Sequence, residues 1–134
     1  MRNVQSTFLQ KWFDEVWNKD DINAIDRLFS QTASAKGILT DDQPKGAEGF
    51  KLFYKDFRNQ FHNVNISVDD AISQDDIEAA RTTVTAIHTS TGKPVTFSGM
   101  CMVKTADGKI VEAFNNYDFL GMYQQIGQRL TAEQ

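Results

Sequence analysis

Asn63-Val64-Asn65-Ile66-Ser67-Val68-Asp69 decides the fold, because apolar and polar side chains alternate there at a period of two, as in a strand with one buried face. Ile72 extends the series, and the segments before it follow a different rule. Val4, Phe8, Trp12 and Val16, with Leu9, Phe13 and Trp17 beside them, advance by four residues and predict an amphipathic helix. Asn18-Lys19-Asp20-Asp21 interrupts it, and Asp20 or Asp21 suits the start of a second helix carrying Ile22, Ile25, Leu28 and Phe29. Thr32 to Leu39 reads as a short strand, and Thr40 to Gly46 as a polar loop. Phe50, Phe53, Tyr54, Phe57 and Phe61 mark a third helix from about Ala47 to Phe61.

After Asp69 the pattern is sheet. Ser73-Gln74-Asp75-Asp76 turns into a strand over Ile77 to Thr89, and Thr91-Gly92-Lys93-Pro94 turns into Val95 to Lys104. Asp107-Gly108 is a tight-hairpin signal before Ile110 to Phe119. Leu120 to Ile126 reads as a brief closing helix, and Arg129 to Gln134 as a frayed end. Three helices followed by an antiparallel meander predict a single α+β domain over residues 1–134, with the helices on one face of a curved, mostly antiparallel sheet. The space between the aromatic helices and the concave sheet face is the expected ligand site.

Composition narrows the function classes. The chain has 134 residues and a formal charge of −4, without a long basic block, so nucleic acid is not an expected partner. It has neither a long apolar run nor a charged and apolar leader, which predicts a soluble, cytoplasmic protein with no membrane partner. Cys101 is the only cysteine, and with His62 and His88 alone beside it no zinc site of ordinary spacing can be assembled. No metal or cofactor is expected. Asn65-Ile66-Ser67 matches a glycosylation acceptor and is read as chance.

Phe114-Asn115-Asn116-Tyr117-Asp118-Phe119 carries the most chemistry. Strand alternation puts Glu112, Phe114, Asn116 and Asp118 on one face and Ala113, Asn115 and Tyr117 on the other. If the first face is concave, Asp118 is a desolvated carboxylate with a raised pKa, suited to general acid/base work, and Asn116 can hold a carbonyl. The competing reading is that Asp118 caps the closing helix or meets a surface cation. His88 lies in phase with Thr82, Val84 and Ala86, either as a pocket imidazole or as a hydrogen-bonded rim residue. His62 reads as helix-end punctuation. Phe13, Trp17 and Phe53, with Trp12, Phe50, Tyr54 and Phe57, are core area, a cavity wall, or both. Cys101 reads as inert packing. Met100 and Met102, on the opposite face of that strand, suggest an apolar outer surface hidden in a homodimer.

Taken in order, Trp12 to Asp20, Gly46 to Phe50, Val95 to Gly99, Asp107 to Glu112 and Asn116 to Gly121 resemble the SnoaL-like polyketide cyclases of the nuclear transport factor 2-like superfamily. That resemblance implies a cone-shaped α+β barrel, usually dimeric, with a hydrophobic cavity between helices and sheet. It further implies an acid/base residue on the last strand, serving aldol ring closure without metal or covalent intermediate, at the position of Asp118. His88 resembles the histidine of a Gly-Thr-His-Thr-Gly element, although its flanks here are Ala86-Ile87 and Thr89-Ser90. Lys36 stands where the family often has a polar His or Asn, and Phe114 where Trp is common. A cation at Lys36 either pairs with Asp118 or binds an acidic ligand or enolate.

Three functions follow as expectations. The first is a cofactor-independent enzyme of the cyclase or isomerase kind acting on a hydrophobic carbonyl substrate, with Asp118 moving the proton, His88 and Asn116 at the enolate oxygen, and Lys36 assisting. Phe114, Trp17, Phe13 and Phe53 would contact the substrate. The second is a non-catalytic module that binds a hydrophobic small molecule in the same cavity. The third is an interaction protein that recruits another chain through its sheet face.

Overall fold

The computed structural model describes residues 8–40 and 42–128, so Val4 and the tail from Arg129 lie outside the described residues. The first helix starts as α1 (Phe8–Trp12) and widens into a π-helical turn over Phe13–Asn18, where the Lys19 N–H donates to the Asp14 carbonyl at 2.8 Å. Leu9, Trp12, Phe13, Val16 and Trp17 are all buried, which is the broad apolar face expected from their spacing. Asn18 ties this segment to the sheet: its Oδ1 accepts from the Ile66 N–H at 2.7 Å, and its Nδ2 donates to the Ile66 carbonyl at 2.9 Å.

α2 (Asn23–Leu28) is shorter than expected, and Phe29 leaves it to open β1 (Phe29–Lys36). The change of period at Ser30-Gln31-Thr32 favours an extended chain, and β1 gains a parallel partner that local sequence does not reveal. α3 (Gly46–Gln60) buries Phe50, Tyr54 and Phe57. Then come β2 (Phe61–Gln74), β3 (Ile77–His88), β4 (Pro94–Ala106), β5 (Lys109–Tyr117) and α4 (Phe119–Gln125). The strand order is β1-β5-β4-β3-β2, antiparallel except for β1 against β5. This is the expected α+β architecture, with helices covering one face of a five-stranded curved sheet.

Two of the bulges change which of the expected residues face inward. In β2 the register slips between Val68 and Asp70, so Val64 and Ile66 are buried while Ile72, expected in the same apolar row, is 76% exposed. In β5 the pairs Lys104 with Glu112 and Thr105 with Ile110 leave Val111 as the extra residue. Ile110 therefore points inward, yet beyond the bulge the inward set is Ala113, Asn115 and Tyr117. Among the described residues, no helix is long and apolar enough to cross a membrane.

Candidate functional site

The concave sheet face and the helices enclose a cavity of about 60 Å³. Its walls are aromatic: Trp12, Phe13 and Trp17 from the first helix, Phe50, Phe53 and Phe57 from α3, Phe97 from β4 and Phe119 from α4. Trp17 is the hub, with ring centroids 4.8 Å from Tyr54, 5.5 Å from Phe57 and 6.2 Å from Phe53. Behind it the Arg58 guanidinium lies 5.5 Å from the Trp17 ring and 5.2 Å from Tyr54, and donates to the Trp17 carbonyl. Partly buried Ile38, Phe53, Tyr117 and Phe119 mark the less enclosed side of the wall. Pockets that take small-molecule ligands measure roughly 300–1,000 Å³, so a ring-sized ligand has to part these side chains.

The polar lining consists of Asn115, Tyr117 and Cys101. Tyr117 projects from β5 across Gly99 of β4 toward Thr82 of β3; both pairs are in direct register. A Cβ on Gly99 would come within 2.1 Å of the Tyr117 ring, so glycine is what lets the ring lie flat on the sheet. The Thr82 hydroxyl donates to the Tyr117 oxygen at 3.2 Å, and Cys101 lies on the neighbouring strand two residues from Gly99, the register partner of Tyr117. Burial, and secondarily Cys101, raises the Tyr117 pKa well above the usual phenol value, keeping it neutral as a hydrogen-bond donor. Burial likewise pushes Cys101 up to about 12, which removes the thiolate that nucleophilic chemistry requires. Asn115 donates its Nδ2 to the Lys36 carbonyl at 3.0 Å, which orients its amide and leaves Oδ1 free of that bond. Glu78 is buried on the same face of β3, where it accepts from the Leu9 N–H at 2.7 Å and anchors α1.

The residues expected to carry chemistry divide sharply. Phe13, Trp17 and Phe53 line the cavity. Asp118 does not: it is exposed, and its Oδ1 accepts from the Gly121 N–H at 2.9 Å as the N-cap of α4. The desolvation expected for its carboxyl is absent. Asn116 is exposed on the outer face, where Phe114 is partly covered by Lys36, whose Nζ stands 5.6 Å from the ring. Lys36, expected either to pair with Asp118 or to bind an acidic ligand, is outside the cavity lining and engaged with Phe114. The Val111 bulge sets the facing within β5, because it puts Glu112, Phe114 and Asn116 on the outer surface. His88 keeps the inward phase but sits at the end of β3, beyond the lining, with Nδ1 2.8 Å from the Thr91 hydroxyl and its ring 5.3 Å from Phe61. Tyr117, Asn115 and Thr82 were not singled out by sequence. Their signal is the cross-strand row Thr82, Gly99, Tyr117, which becomes visible only once the register is known.

A helix-covered, cone-like sheet around an aromatic interior defines the nuclear transport factor 2-like class of fold. A model of the SnoaL-like polyketide cyclase family matches residues 7–126, and the chain belongs to that family. Among solved structures, IdmH from Streptomyces antibioticus is 21% identical, with a TM-score of 0.76 over 90% of this chain and 96% of that one. A SnoaL-like polyketide cyclase from Agrobacterium tumefaciens is 13% identical, with a TM-score of 0.74 over 94% and 100% of the two chains. A Catenulispora acidiphila protein with a ketosteroid isomerase-like fold, solved with trimethylamine, is 14% identical, with a TM-score of 0.79 over 97% and 100%. No curated protein matches the chain at a significant level.

Proposed function

We propose that the protein takes a hydrophobic, carbonyl-bearing small molecule into the aromatic cavity and carries out cofactor-independent chemistry of the cyclase or isomerase kind on it. The observation that carries this reading is Tyr117, a neutral hydroxyl in a mostly aromatic and aliphatic wall. A hydroxyl donor at that place hydrogen-bonds a ligand's carbonyl oxygen and stabilises negative charge that builds up on it. Asn115 Oδ1 adds an acceptor two residues along the same strand face, suited to a ligand hydroxyl. Family membership supports small-molecule chemistry.

The test uses acetophenone as a probe, followed by intrinsic fluorescence, because both tryptophans of the chain line the cavity. Tyr117→Phe is expected to weaken binding about three- to tenfold, the worth of one neutral hydrogen bond. Asp118→Asn, which keeps a good capping side chain, should bind the probe as the native protein does. Equal affinity in Tyr117→Phe overturns the proposal. A second reading, binding without catalysis, is favoured by the fact that none of the described residues lining the cavity is a carboxylate or an imidazole. It predicts saturable binding of carbonyl compounds with no product.

We also propose that the outer sheet face pairs with a second copy of the chain. Met100 and Met102 are 59% and 42% exposed there, and Met102 stands directly opposite Phe114. Met100→Asp should convert a dimer to a monomer in sedimentation equilibrium at micromolar concentration. A native protein that sediments as a monomer refutes the pairing.

A further inference from the structure

We infer that Thr82 is a positioning residue that turns the Tyr117 hydroxyl proton toward the cavity, so that the ligand atom received there is an acceptor oxygen of the ketone, aldehyde or enolate class. The inference rests on the reading of the cavity given above. Thr82 is completely buried, and its side chain faces the interior from β3. Its single hydroxyl proton has two acceptors in reach, the Tyr117 oxygen at 3.2 Å and the Gly99 carbonyl at 3.4 Å. The two choices have opposite consequences. When Thr82 donates to Tyr117, the phenolic proton must find another acceptor. Among the described residues the Cys101 thiol, on the neighbouring strand two residues from Gly99, is a weak acceptor that a ligand carbonyl readily replaces. A hydroxyl that already accepts a hydrogen bond is also the stronger donor. Were Thr82 to donate to Gly99 instead, it would hold the tyrosine proton itself, and the cavity would offer a lone pair suited to hydroxyl ligands.

The shorter contact favours donation to Tyr117, and Gly99 makes that contact attainable by letting the ring cross β4. Thr82 touches no ligand in this scheme and acts through Tyr117 alone.

Thr82→Val keeps the shape of the side chain and removes the donor, whereas Thr82→Ser restores the hydroxyl. With carbonyl-labelled acetophenone, Thr82→Val is expected to bind about three- to tenfold more weakly. The infrared stretch of the bound carbonyl should move toward its free value, a change that a merely structural role would not produce. Thr82→Ser should recover both properties, and Thr82→Ala reads the same loss should the valine variant fold poorly. Unchanged or tighter binding in the valine and alanine variants overturns the inference. Should Tyr117→Phe weaken the probe while both of those variants leave it unaffected, only the role of Thr82 fails. Should Tyr117→Phe have no effect, the cavity reading fails and takes this inference with it.

Discussion

Trp17→Ala is expected to destabilise the fold by about 3–5 kcal/mol, the range for deleting a large buried aromatic side chain. Trp17 is 5% exposed and packs edge-on or tilted against Phe50, Phe53, Tyr54 and Phe57, so four rings lose a neighbour together. The Arg58 guanidinium also loses an aromatic face against which it rests. Since domains of this size are stable by about 5–15 kcal/mol in all, the variant should sit near the threshold of folding. Urea denaturation followed by far-ultraviolet circular dichroism measures the loss. A change below about 1 kcal/mol would mean that the surrounding rings collapse into the space, and that Trp17 is not the hub of the wall.

Gly37→Ala should cost about 2–5 kcal/mol for a different reason. Gly37 follows β1 with φ of +89°, a region costly for any residue with a Cβ. The added Cβ would fall 1.9 Å from the Asn115 carbonyl oxygen, a backbone atom of the neighbouring strand that cannot swing aside. Relief requires β1 and β5 to separate, and overpacking of this kind typically costs about 1–3 kcal/mol beyond the dihedral strain. Asn115 and Ile38 line the cavity on either side of this contact, so acetophenone affinity should fall together with the denaturation midpoint. A midpoint within about 0.5 kcal/mol of the native protein, with unchanged affinity, would contradict the close approach.

Where a side chain's role depended on its own neighbours along the chain, the sequence was readable. The helical spacing of Trp12, Val16 and Trp17 placed them in the core, and the shift to period two at Val64 marked the start of sheet. Asp107-Gly108 was legible as a turn because its residues tolerate the left-handed conformation, seen at φ of +54° and +78°. The first strand was found, but not its place: β1 pairs in parallel with β5, which lies some 80 positions further along the chain.

The site was legible only in part. Phe13, Trp17 and Phe53 reach the cavity because helical amphipathicity and cavity lining share one cause, the need to turn apolar area toward the sheet. Asp118 and Asn116 were singled out for their chemistry, and chemistry says nothing about facing. A single inserted residue, Val111, reverses the alternation of β5, exposing Asn116 while Asn115 and Tyr117 turn inward. Asp118, just past the end of β5, caps the last helix.

What the amino-acid order determined unaided was the periodicity of each segment and hence the α+β class with an aromatic interior, because these follow from local spacing and the hydrophobic effect. What only the tertiary structure decided was the polar group that meets that interior. The row Thr82, Gly99, Tyr117 exists only when three strands lie in one register, and the register is set by a bulge that leaves no mark in local composition.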